Sequence, residues 1–280
     1  MTTDQTIFGT PYDQPMVPEL LDHIERHEPT EPLILLYHSA LLSLMNPDED
    51  QYFFVLKGLL ENHRDVVTST EEADLHTVAR NFAIRQANRG RSVEFLPELF
   101  ELYELALERN ILLDTNGHMS IGSFKNLVAL GLALQKLNWV EAFLRDFAAL
   151  LPEAERSDAV NYNRAKLKFA QGEYREVIRL LRETEYTNIF VAIDARTLLM
   201  QTWYEMQEYD ALDSLLDSFD SMIRRQKNLG YHPQNYLNMI RLTRKLVSLN
   251  RSSQKVIAGL RSEIENEQVL TQRDWLLSKL

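Results

Sequence analysis

The chain has 280 residues, 45% hydrophobic and 25% charged, with nine Gly, nine Pro and no Cys. That balance is ordinary for a soluble globular protein and too sparse in turn residues for an all-β chain, while the lack of cysteine excludes disulfides, thiolate metal ligands and a cysteine nucleophile. The net charge of −11 is unevenly spread: residues 1–50 hold ten acids against one base, Arg26, whereas residues 221–262 hold nine bases and no acid.

No apolar run reaches the roughly 20 residues that span a bilayer. The opening Met1-Thr2-Thr3-Asp4-Gln5 lacks the basic and apolar parts of a signal peptide. The expected location is cytoplasmic, without membrane association.

After an irregular entry through Pro11, Pro15 and Pro18, apolar residues recur with the period of helices buried on one face. Leu33, Leu36, Tyr37, Ala40, Leu41 and Leu44 mark one such helix. Asn46-Pro47-Asp48-Glu49 predicts a cap, a first-turn proline and early acids for the next, and Ser69-Thr70-Glu71-Glu72 has the spacing of a capping box. Phe95, Leu99, Leu102, Tyr103 and Ala106 form a further stripe, and the loop from Asp114 to Ser120, with Asn116-Gly117, is the best internal boundary. Leu212, Leu215, Leu216, Phe219 and Met222 continue the pattern, and Gly230 followed by Pro233 predicts a helix stop and restart. Together these signals predict about 14 helices paired as antiparallel hairpins.

Three of the predicted turns are related. Leu137-Asn138-Trp139, Gly172-Glu173-Tyr174 and Gln207-Glu208-Tyr209 each join two helices, and their aromatics stand 35 residues apart. With Ala142 and Pro152 as further matches, the stretch from Ser123 to Lys227 resembles the tetratricopeptide repeat, whose period is about 34 residues. Ala165 to Tyr174 carries the closest likeness. The match is degenerate, because Lys168 stands where the family often has an aromatic, Val177 and Leu212 replace a small residue, and two turns lack glycine. In texture the chain also resembles helical-repeat proteins of Bacteroidota. The resemblance implies an all-α fold, an α-α superhelix of about seven antiparallel hairpins. It would run as one array over 1–280: divergent hairpins over 1–116, the clearest repeats over 117–230, and a last hairpin with a capping helix over 231–280, where Trp275, Leu276 and Leu280 cover the end.

The same resemblance implies that the first helix of each hairpin lines a concave groove, offering Asn126, Leu127, Tyr162, Lys166, Phe169, Thr197, Gln201 and Tyr204. Tyr162, Lys166, Gln201 and Tyr204 are the expected partner-binding set, although aromatics at helical spacing are equally at home in a core. Asn81, Arg85 and Asn88 line one face of a helix expected over Glu71 to Arg89. They could bind a peptide main chain or a carboxylate, or bridge neighbouring helices. Arg241, Arg244 and Lys245 fall opposite the apolar stripe of Met239, Leu242, Leu246 and Leu249, which predicts an exposed cationic ridge: a solvated face, a site for an acidic protein, or, least favoured, one for nucleic acid. His23 and His27, four apart, could share one cation but lack a third ligand, so no metal and no cofactor is expected.

No nucleophile elbow or phosphate-binding loop occurs. The expected function is therefore an interaction scaffold or adaptor presenting a groove to a protein or peptide partner, not an enzyme. The alternatives are a nucleic-acid-associated or regulatory protein using 224–261, and a metal-dependent enzyme around His23 and His27. The opposite charge of the two ends also predicts weak, salt-sensitive self-association.

Overall fold

A computed structural model of the chain describes residues 16–182, 189–226, 233–249 and 253–280. Among these, every regular element is helical, beside one isolated bridge between Leu113 and Met119. No helix among them is long and apolar enough to cross a membrane. Gly230, expected as a helix stop, lies outside the described residues. The chain forms two compact units, Met1–Ala159 and Val160–Leu280.

The first unit contains α1 (Val17–His27), α2 (Pro32–Met45), α3 (Asp50–Asn62), α4 (Ser69–Gln86), α5 (Ser92–Glu108), α6 (Ile121–Ala133), α7 (Leu137–Asp146) and the start of α8 (Glu153–Ala170). Consecutive helices α2 and α3, α4 and α5, and α6 and α7 pack on one another, and α2 also packs on α4. The stripe expected on α5 is the buried one: Phe95, Leu102 and Ala106 have no exposed surface, and Leu99 and Tyr103 almost none. Phe53 stacks on Phe82 with ring centroids 5.1 Å apart, and Phe95 closes the cluster. The α2 stripe is only half right. Leu36 and Ala40 are buried, but Leu33 and Tyr37, four residues apart on another face of α2, are exposed, and the Tyr37 hydroxyl donates to Glu71 on α4.

Two expected caps move. Asn46 ends α2 instead of starting α3, with Nδ2 donating to the Leu42 carbonyl at 3.0 Å. The capping box begins one residue early: Thr68 Oγ1 accepts from the Glu71 amide, and the Glu71 carboxylate accepts from the Thr68 amide at 2.8 Å. The helix expected to run through Arg89 ends at Gln86 and passes into a wide π-type turn, Ala87–Arg91, in which Gly90 takes the left-handed φ of 95°. That turn is fastened to the α2–α3 connection, since Arg89 pairs with Asp48 and Arg91 grips the Asp50 carboxylate. The Asp114–Ser120 loop is tied by Asp114, whose carboxylate accepts from the amides of Asn116 and His118.

The second unit holds the rest of α8, then α9 (Tyr174–Arg182), α10 (Ile189–Glu205), α11 (Tyr209–Arg225), α12 (Pro233–Val247), α13 (Gln254–Asn266) and α14 (Arg273–Ser278). Its larger core joins Ile193, Met200, Leu212, Leu216, Phe219, Met239, Leu242 and Leu246 with Ile264 and Leu276. A smaller cluster gathers Tyr162, Ala165, Val177, Leu181 and Leu198. Val177 and Leu212, each larger than the residue the repeat pattern favours, are buried in these cores.

The related turns share one geometry, in a register the aromatics disguise. Gln135, Gly172 and Gln207 are left-handed, with φ of 57°, 76° and 60°. Each begins the same pair of helix-ending hydrogen bonds: Gln135 to Leu132 and Lys136 to Gly131, Gly172 to Phe169 and Glu173 to Lys168, Gln207 to Tyr204 and Glu208 to Trp203. By this register Leu137, Tyr174 and Tyr209 are equivalent, and Trp139 sits two places further on. Asn110, with φ 57° and bonds from Asn110 to Leu107 and from Ile111 to Ala106, makes a fourth such turn that the aromatic spacing did not reveal.

Candidate functional site

In the first unit, the end of α4, α5 and α6 enclose an open cleft of about 290 Å³. Leu96, Leu99 and Tyr103 from α5 and Ala129, Leu130 and Ala133 from α6 give it an apolar lining. Two carboxamides join that lining: Asn88, carried by the wide turn, and Asn126 on α6. Both are exposed. The sequence pattern places these residues on separate surfaces, and the fold brings them to one. Asn81 and Arg85 are half-buried and do not line the cleft. Burial, and then the neighbouring Arg89, lower the pKa of Arg85.

Behind the cleft lies a polar interior that the sequence reading missed. The Arg80 guanidinium lies 5.3 Å from the centre of the Tyr103 ring and donates to Thr77 Oγ1 at 2.9 Å. One turn earlier His76 is fully buried, and neither ring nitrogen has a hydrogen-bond partner. Burial, with the nearby charges of Arg80 and Arg109, lowers its pKa to about 4. A turn earlier again, buried Glu72 pairs with Arg109 at 2.8 Å. Glu72, His76 and Arg80 recur every four residues beside the buried Leu75, Ala79 and Ala83. That spacing was the available signal, masked by the polarity of the residues.

The expected groove set of the second unit is largely interior. Tyr162, Gln201 and Tyr204 are 8%, 8% and 6% exposed, and Thr197 is buried with its hydroxyl on the Ile193 carbonyl. Tyr162 belongs to the smaller core, while Tyr204 and Gln201 are met by the segment around α14: the Trp275 ring stands edge-on to Tyr204 at 5.3 Å, and Gln201 donates to Gln272 at 3.1 Å. Those three side chains therefore do not present an open groove. Lys166 is half-buried, its ammonium 6.0 Å from the Tyr162 ring centre. Of the other groove residues, Leu127 is buried and Phe169 packs against the smaller core.

The cationic ridge stands exposed at Arg244 and Lys245, but its bases meet acids. Arg241 pairs with Glu263 and Glu267, Arg244 with Asp217, Lys245 with Glu263 at 2.7 Å, and Arg224 with Asp220 at 2.6 Å. The tract holds no acid of its own, but Asp217 of α11 and Glu263 and Glu267 at the end of α13 meet α12, while Arg224 pairs within α11. Four bases are thus offset by four acids, and the charge available to attract phosphates is correspondingly reduced. His23 and His27 stack with ring centres 4.1 Å apart, and His27 Nδ1 lies 2.8 Å from the His23 carbonyl oxygen. No group of three or more His, Asp or Glu side chains placed to hold a metal ion occurs among the described residues.

No protein-family model matches the chain, and no curated protein is significantly similar to it. What the fold itself defines is an all-helical protein of two units, with an apolar, carboxamide-edged cleft in the first.

Proposed function

We propose that the chain is a protein-interaction module, an adaptor or scaffold rather than an enzyme, acting in the cytoplasm and binding an extended segment of a partner protein in the cleft of the first unit. The observation that carries this reading is the combination of an apolar lining with Asn88 and Asn126. Each carboxamide offers both donor and acceptor, the pattern that satisfies a peptide main chain while apolar side chains enter between them. Neither contributes net charge to select an acidic or a basic ligand. The pattern favours an uncharged, apolar stretch of two or three residues over a charged tail.

The proposal includes a degenerate tetratricopeptide-like architecture, with antiparallel hairpins wound as an α-α superhelix. Its support is the repeated helix-ending geometry at Gln135, Gly172 and Gln207. A protein built from such hairpins gains surface without gaining a catalytic centre, which suits recognition.

Selection from a random-peptide display library against the whole protein tests this reading. Enriched peptides should carry adjacent apolar residues and lose about tenfold or more in affinity when Ala129→Glu or Asn126→Ala is introduced, a loss of about 1.4 kcal/mol. Peptides indifferent to both substitutions would overturn the proposal.

A further inference from the structure

Two buried members of the expected groove, Gln201 and Tyr204, are covered by the segment around α14. Gln272, Trp275 and Lys279 meet one face of α10, within Gln201 to Glu205. Gln201 meets Gln272, the Trp275 ring meets Tyr204, and the Trp275 indole N–H donates to Glu205 at 3.3 Å. Lys279, one turn beyond Trp275, pairs with the same Glu205 carboxylate. Leu276, between them, has no exposed surface and belongs to the larger core.

We propose that this face of α10, with the adjoining part of α12, is a second docking surface, which the chain fills with its own segment and which a partner reaches by displacing it. The occupant it fits is a short amphipathic helix with an indole or similar aromatic anchor, an aliphatic residue after it, and a cation four residues beyond the anchor to meet Glu205. The cleft of the first unit takes no part in this inference.

The segment has features of a ligand more than of a self-sufficient helix. α14 is six residues long, far short of the about 12 to 15 at which isolated helices become even marginally stable. Its entry residue, Gln272, is left-handed at φ 57° without being glycine, and no side chain caps the helix. Such a conformation costs about 1 kcal/mol locally, so side-chain anchors rather than helix propensity hold the segment. Arg273 secures its start by donating to the carbonyls of Ile264 and Glu265 at the end of α13, both at 2.6 Å. Trp275, Leu276 and Lys279 lie beyond that anchor and can leave the surface while the attachment to α13 stays; the Gln272 contact to Gln201 lies on its near side. Tethering gives it a high effective concentration, so an outside helix must bind well or be abundant to compete.

The test uses the full chain, its Trp275→Ala/Lys279→Glu variant, and a labelled synthetic peptide of residues 269–280. The variant should bind the peptide about tenfold more tightly than the unsubstituted chain, and adding Glu205→Lys should remove the gain. Equal affinity for variant and unsubstituted chain, or binding indifferent to Glu205, would overturn the proposal. Hydrogen exchange on the unsubstituted chain provides a readout that does not depend on the variant folding. The amides of 275–280 should exchange at least about tenfold faster than those of α10 and α12. Exchange of all three in step would show a fused core and no displaceable segment, which also overturns it.

Discussion

Arg109, one residue past the end of α5, places Nη1 2.8 Å from the Glu72 carboxylate of α4 and donates to the Leu60 and Glu61 carbonyls at the end of α3. One guanidinium thereby joins three helices in a nearly dry setting, with the two side chains 11% and 5% exposed. Arg109→Met should cost about 3–5 kcal/mol, because it leaves Glu72 buried with only Arg64, 3.6 Å away, to offset it. Adding Glu72→Gln should recover part of that loss. Urea denaturation of the single and double variants checks this, and a single-variant cost below about 1 kcal/mol would contradict it.

His76 makes the first unit sensitive to acid. Its folded pKa of about 4 lies below the ordinary 6.5, because burial and the charges of Arg80 and Arg109 disfavour the imidazolium, while Glu72 is engaged by Arg109. Between those two values the unfolded chain binds the proton and the folded chain does not. Stability is therefore fully present above about pH 6.5 and falls as pH drops toward 4, by up to about 3 kcal/mol. His76→Leu should remove that part of the slope. Urea midpoints at pH 7 and pH 4.5 for both proteins provide the measurement, and identical slopes would contradict the expected role.

Two helical glycines should respond oppositely to alanine. A methyl on Gly131 would meet Val140 Cγ2 at 2.5 Å and the Trp139 ring at 3.3 Å, both on α7. Gly131→Ala should destabilise by about 1–3 kcal/mol. Gly58, in α3, has open space at that position, and Gly58→Ala should stabilise by about 0.5–1 kcal/mol. Thermal unfolding of the pair gives the comparison, and the same sign for both would refute the close approach.

Turn geometry yields a second opposed pair. Gly172→Ala forces an L side chain into φ 76° and should cost about 1 kcal/mol, although nothing crowds the site. Gln207→Gly relieves the equivalent φ of 60° and should gain up to about 1 kcal/mol. Denaturant midpoints decide it; a gain for Gly172→Ala would show the turns are not equivalent.

The parts of the fold that depend on one helix at a time were legible. The period buries Phe95, Leu99 and Leu102, and also Leu212 and Phe219, because these residues share a face whatever covers it. The same period could not separate exposed Tyr37 from buried Tyr204: what differs is the neighbour, Trp275 in one case and solvent in the other. Arg241, Arg244 and Lys245 formed a ridge in the sequence because Asp217, Glu263 and Glu267 lie just outside the basic tract and meet it only in the fold. Asn88 and Asn126 were each noticed, but a cleft shared by α4, α5 and α6 is a property of packing that no local spacing encodes.

The most direct measurement is a hydrogen-exchange footprint of a library-selected peptide on the whole protein. Bound peptide should slow exchange by about tenfold or more at the end of α4, in α5 around Leu99 and Tyr103, and in α6 around Asn126 and Leu130, leaving α1 unchanged. Protection confined to any other surface, or none at saturating peptide, would contradict the assignment of the cleft as the site where this chain meets its partner.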